Sequence, residues 1–160
     1  RTLTAYREVM TALIHTHHGR VVDSPGDNLL AEFASVVDAV QCATEIQQAF
    51  VVRNAELPTH RQMAFRIGIN VGDVLTEDGR LYGDGVNIAS RLQDLADPDT
   101  ICISDMVYRD VAKKIDLGTV VSLGRPMLKN ITERFPVYAL LPDLEARGVR
   151  RRANRDTQAG

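Results

Sequence analysis

Apolar residues recur every three to four positions from Thr2 to His18, with Leu3, Tyr6, Met10, Leu13 and Ile14 on one face. That spacing predicts an amphipathic helix, and Gly19 is its expected stop. The pattern then changes to short extended runs. Arg20-Val21-Val22-Asp23 and Asn28-Leu29-Leu30-Ala31-Glu32-Phe33 predict two strands. Between them Ser24-Pro25-Gly26-Asp27 fits a type II turn, with Pro at i+1 and Gly at i+2. Ser35-Val36-Val37-Asp38 has the character of a capping box, with Asp where Glu is usual. It opens a predicted helix to about Val52, with Val36, Ala39, Val40, Ala43, Ile46 and Phe50 inward.

From Met63 to Gly72 the apolar positions alternate as Phe65, Ile67, Ile69 and Val71, a strand pattern, and Val74-Leu75 is the expected hairpin partner. Gly83-Asp84-Gly85 supplies a tight turn and a candidate N-cap for a helix that carries Asn87 and Arg91 in its first two turns. A buried strand at Thr100 to Ile103, a helix from about Ser104 to Lys114, and strands near Gly118 to Leu123 and Phe135 to Leu141 complete the pattern. Strands mixed with helices, several joined by tight hairpins, predict an α/β sandwich with a largely antiparallel sheet. Residues 1–142 form the expected domain. Residues 143–160 are polar and basic, with Arg147, Arg150, Arg151, Arg152 and Arg155, and read as a tail or linker.

Composition narrows the function classes. The 160 residues are 44% hydrophobic and 25% charged, as in an ordinary soluble domain. A net charge of -2 provides no global basic field for nucleic acid. No apolar run approaches the roughly 20 residues of a membrane span. Cys42 and Cys102 form no metal or redox motif, and with no secretion signal they imply a reducing, cytoplasmic setting. Cys42, beside Ala43 on an amphipathic helix, reads as core. His15 and His18 lie three apart at a helix end, but no Cys or acidic residue within a turn completes a metal site, so a helix-end role is expected.

The segment with most chemical content is Leu81-Tyr82-Gly83-Asp84-Gly85-Val86-Asn87-Ile88-Ala89-Ser90-Arg91-Leu92. It puts an amide and a guanidinium four residues apart, on one helical face. A helix N-terminus favours anions, and arginine can fork onto phosphate oxygens. An ordinary exposed pair would have the same spacing. In its turn, helix start and flanking apolar residues, however, this segment resembles the Asn-x-x-x-Arg signature of class III adenylate and guanylate cyclases. The resemblance extends over roughly residues 1–141. It implies a ferredoxin-like, palm-like fold with flanking helices, whose first strand is absent from this chain.

Four further readings follow from the resemblance. Gly19 to Phe33 is similar to the family segment that carries one of two metal-binding aspartates, which implies that Asp27, otherwise a turn residue, binds Mg²⁺ or Mn²⁺. The other metal aspartate belongs to an Asp-x-x-Gly strand, which the resemblance puts upstream of Arg1, so the 160-residue chain by itself is expected to be inactive. Asn87 would orient the ribose, and Arg91 would stabilise charge on the α-phosphate. Met127-Leu128-Lys129-Asn130, before Val137-Tyr138-Ala139-Leu140, is similar to the family's Leu-Lys-Gly and last strand, so Lys129 would contact the triphosphate, with Asn130 in place of glycine.

Asp23 and Arg80 depart from the family. Mammalian-type adenylyl cyclases carry a lysine four residues before the hairpin aspartate and an aspartate seven before the asparagine, and that pair reads the adenine edge. Here donor and acceptor are exchanged, so the pair selects ATP or GTP, forms a plain salt bridge, or never meets the base. The implied reaction makes 3',5'-cyclic nucleotide and pyrophosphate from a nucleoside triphosphate, in a homodimer whose sites are shared between subunits. The alternative is a non-catalytic module that keeps the fold for dimerisation or nucleotide sensing. A diguanylate cyclase shares the palm core, but its Gly-Gly-Asp/Glu-Glu-Phe signature is absent.

Overall fold

The computed structural model describes residues 2–23, 26–72, 75–77, 80–82 and 84–142. Its first helix, α1 (Thr2–Thr16), closes differently from the sequence expectation. His18, not Gly19, takes the left-handed conformation, at φ 68°. His18 N donates to His15 O at 3.0 Å and Gly19 N to Ile14 O at 2.8 Å, a Schellman closure with His18 at its turning point. Gly19 serves close approach instead: a Cβ there would sit 2.5 Å from the Phe33 ring.

The strands β1 (Arg20–Asp23) and β2 (Leu30–Glu32) form an antiparallel hairpin, as the sequence implies. Helix α2 (Val36–Ala55) is capped by Ser35, whose hydroxyl accepts from Asp38 N at 3.2 Å. The carboxylate of Asp38 faces His18 Nδ1 at 3.6 Å.

The central sheet has the order β3-β6-β8-β7, built from Ile67–Ile69, Ile101–Ser104, Val137–Leu141 and Thr119–Ser122. The expectation of a β3 hairpin with Val74-Leu75 is wrong. β3 pairs parallel with β6, and Leu75 belongs to β4 (Leu75–Glu77), which pairs antiparallel with β5 (Arg80–Tyr82). Val74 lies outside the described residues. The physical reason is burial. Ile67 and Ile69 fill the main core only when they lie beside Ile101 and Ile103. The other pairings in the sheet are antiparallel, as expected.

Alternation along β6 gives the sandwich two apolar layers. Ile101 and Ile103 join Val40 and Ala43 of α2 and Val107 and Val111 of α4 (Asp105–Val111). Cys102, on the opposite face, joins Leu92 of α3 (Asp84–Leu95) and Ala96 just after it, with Leu128 and Val137. A third cluster holds α1 against α2 through Tyr6, Ile14, Cys42, Ile46 and Phe50. Each Val, Leu, Ile or Phe among them, fully buried, contributes about 1.5–3 kcal/mol. Asn54 locks this layer: its Oδ1 accepts from the Tyr6 hydroxyl, and its Nδ2 donates to Met63 O at 2.8 Å. Among the described residues no helix is long and apolar enough to cross a membrane. Residues 143–160 are not among those described.

Candidate active site

Asp27 sits at the tip of the β1–β2 hairpin and is exposed. Gly26 has φ 58°, the left-handed value that the third position of a type II turn requires, though Ser24 and Pro25 lie outside the described residues. Arg7 of α1 donates through Nη2 to Gly26 O at 2.6 Å and to Asn28 O at 3.3 Å. From the other side, Gln93 Nε2 of α3 donates to Asn28 Oδ1 at 3.3 Å.

Asn87 and Arg91 are the fourth and eighth residues of α3, so the expected placement in its first two turns holds. Asp84 does not cap the helix; it is the first helical residue, where its charge suits the positive end of the helix dipole. Two features of β3 seat this helix. Gly68 faces it with no side chain, and a Cβ there would meet Ala89 O and Gln93 N at 2.4 Å each. Just past β3, Asn70 Nδ2 donates to Gly85 O at 3.3 Å in the helix's first turn. Asn87 is exposed, and Arg91 pairs with Asp94 at 3.0 Å.

Lys129 is exposed on a turn in which Ile131 N donates to Leu128 O at 3.1 Å. Asn130 takes φ 65°, the left-handed conformation that asparagine tolerates in place of glycine. Leu128 is buried in the same cluster as Leu92, so Lys129 and Arg91 each adjoin a member of one apolar anchor. Asp23 ends β1 and Arg80 opens β5, and these two strands lie against each other. The side chains of Asp27, Asn87 and Lys129 make no hydrogen bond or ion pair with another described residue, and no group of three His, Cys, Asp or Glu gathers among the described residues. Of the helix-end histidines, His17 Nε2 lies 2.9 Å from Glu45 and His18 Nδ1 3.6 Å from Asp38, both on α2.

Sequence reasoning passed over Arg7, Gly68, Asn70, Gln93 and Asp94. Gly68, an isolated glycine in a strand pattern, signals close backbone approach. Asp94, three residues after Arg91, is a visible ion-pair partner. No local signal marks the contacts of Arg7, Asn70 or Gln93, which join distant segments.

Comparison with known proteins decides the family. Residues 1–120 match the sequence profile described as the adenylate and guanylate cyclase catalytic domain. The chain belongs to this family. A Rhizobium meliloti protein named "Putative adenylate cyclase 3" is 40% identical over 145 residues, or 91% of this chain, which spans only 24% of that relative's length. The crystal structure of an adenylate/guanylate cyclase/hydrolase from Silicibacter pomeroyi superposes with a TM-score of 0.79 at 38% identity, covering 86% of this chain and 80% of that one. The catalytic core of a rhodopsin-guanylyl cyclase with converted specificity, in complex with ATPαS, shares the fold at a TM-score of 0.72 and 24% identity, covering 87% and 80%. The palm-like sandwich expected of a class III cyclase domain is therefore the architecture observed.

Proposed function

We propose that this cyclase domain converts a purine nucleoside triphosphate, ATP or GTP, into the 3',5'-cyclic nucleotide and pyrophosphate. The observation that carries the reading is the placement of Asn87 and Arg91 one turn apart on a helix seated backbone-to-backbone on Gly68. In the reaction a bond forms between the ribose 3' oxygen and the α-phosphorus. The bond from that phosphorus to the bridging oxygen breaks, and pyrophosphate and a proton leave. Asn87 orients the ribose. Arg91 supplies fixed positive charge where negative charge grows on the α-phosphate; one such donor is typically worth about 2.7–4 kcal/mol. Its pair with Asp94 is exposed, so exchanging that partner for a phosphate costs at most about 1 kcal/mol. Lys129 binds the triphosphate.

Asp27 fits a Mg²⁺ or Mn²⁺ site in its chemistry: it is an exposed carboxylate with no competing partner among the described residues. It supplies one oxygen ligand, and the second carboxylate is proposed upstream of Arg1. Such an ion, when bound, neutralises phosphate charge and acidifies the 3' hydroxyl. The partner is a second copy of the chain, with Asp27 of one copy and Asn87, Arg91 and Lys129 of the other completing each site. Residues 143–160 are proposed to lie outside the catalytic unit as a tail or linker. Retention of Asp27, Asn87, Arg91 and Lys129 together weighs against a non-catalytic module.

Asp23 and Arg80 are proposed to select the base, since β1 and β5 lie against each other. Arg80 donates to adenine N1 or guanine O6, and Asp23 accepts from adenine N6 or guanine N1-H. The full-length protein is to be assayed with both nucleotides as wild type, Asp23→Lys, Arg80→Asp and the double variant. The ATP/GTP ratio of kcat/KM is expected to move about 5- to 150-fold, the effect of one mispaired buried group of about 1–3 kcal/mol. An unchanged ratio in all three variants removes the pair from the base pocket, and no cyclic product from wild type with either nucleotide overturns the reading as a whole.

A further inference from the structure

Arg7 stands twenty residues from Asp27 in the chain and belongs to no sequence motif of the site. Its guanidinium nevertheless reaches the two carbonyls that flank Asp27, Gly26 O at 2.6 Å and Asn28 O at 3.3 Å. Both bonds come from one nitrogen, Nη2, which carries two N–H groups. We propose that Arg7 is a positioning residue for Asp27. It fixes the hairpin tip so that the carboxylate meets a divalent cation as a preset ligand. The inference rests on the reading of Asp27 as a metal ligand.

Three observations make the tip dependent on such an anchor. The β1–β2 ladder is irregular just before it: Val21 pairs with Ala31, but Asp23 pairs with Leu30, so the register slips between them. Gly26, on the other side of the tip, has the left-handed φ of 58° that glycine adopts without steric restraint. Asp27 itself is exposed, and its side chain has no described partner to hold its rotamer. A planar guanidinium is suited to the task because it stays charged and holds the two N–H groups of Nη2 in a fixed plane. Gln93 braces the same turn from α3 through Asn28 Oδ1, which leaves Arg7 as the backbone anchor.

Charge and geometry make opposite demands here. Acting only as a nearby positive charge, Arg7 would weaken binding of a divalent cation, and its loss would tighten it. Acting as an anchor, its loss weakens binding. The experiment is Mn²⁺ binding to the full-length protein, read from the electron paramagnetic resonance of the free ion. The proteins compared are wild type, Arg7→Ala, Arg7→Lys and Asp27→Ala, with thermal melting as the check on folding. Groups that orient a metal ligand typically change metal affinity about 10- to 100-fold. Arg7→Ala is expected to raise the dissociation constant about tenfold, near the lower end of that range. Arg7→Lys, which keeps the charge but loses the longer reach and the fixed plane of the Nη2 donors, should fall between Arg7→Ala and wild type. Asp27→Ala should weaken binding most. Should Arg7→Ala fail to fold, Arg7→Lys decides: weaker binding than wild type supports the anchor, and equal or tighter binding overturns it. Unchanged or tighter binding in Arg7→Ala, with Asp27→Ala still weakened, overturns the role of Arg7 alone. Wild-type affinity in Asp27→Ala overturns the metal reading and the inference together.

Discussion

Cys42 and Cys102 are buried, and neither serves the site. Burial pushes the Cys42 thiol from the ordinary 9.0 up to about 12, with the charge of Glu45 adding to the effect. Burial, then the charge of Asp97, pushes Cys102 up to about 11. Both thiols are therefore protonated, and unreactive, in the folded protein at neutral pH. The sign of the stability effect follows. Between the ordinary value and the folded one, the unfolded chain loses these protons and the folded chain keeps them. The contribution is thus whole below pH 9.0 and is lost as pH rises toward about 11 and 12. Urea midpoints should fall between about pH 9 and about pH 11, and Cys42→Ala with Cys102→Ala should flatten that fall. A thiol reagent should label neither cysteine until the protein unfolds.

At the scale of elements, the decisive contact is α3 on β3. A methyl group at Gly68 would press on Ala89 O and Gln93 N, both backbone atoms, so the helix itself must move. Gly68→Ala is expected to destabilise the fold by about 1–3 kcal/mol, as overpacking does. Because α3 carries Asn87 and Arg91, it should also lower kcat more than it raises KM. Wild-type kcat in a folded Gly68→Ala protein would contradict this seating of the helix. The same contact shows what the sequence reveals and what it hides. Period locates α1, α2 and α3, and the Ser35 cap marks the start of α2, since both signals act within a few residues. Alternation locates β3 and a short buried run locates β6, but neither signal says which strand pairs with which. Val74-Leu75 is near β3 in sequence, yet the parallel partner β6 lies beyond a hairpin and a helix, where only the shared core with Ile101 and Ile103 selects it. The place of Asn87 and Arg91 in the first two turns of α3 was legible in the sequence, and their site roles, with that of Lys129, are proposed from motif resemblance. Their supports, Asn70 and Gln93, were not legible, because those contacts are made by tertiary packing.

At the scale of the molecule, the proposed cyclase site is shared between two copies of the chain. In one chain the Asp27 hairpin is tied to α3 by Gln93, yet the side chains of Asp27 and Asn87 share no hydrogen bond. The most direct test is cyclic-nucleotide formation by full-length Asp27→Ala and Arg91→Ala proteins, alone and mixed in equal amounts after subunit exchange. Each variant alone should keep under about 1% of wild-type turnover, the scale of losing one transition-state donor. In the mixture half the dimers are mixed, and each of those holds one intact site of two, so turnover should recover toward about one quarter of wild type. Wild-type turnover in either single variant, or no recovery despite demonstrated subunit exchange, would contradict the shared cyclase site.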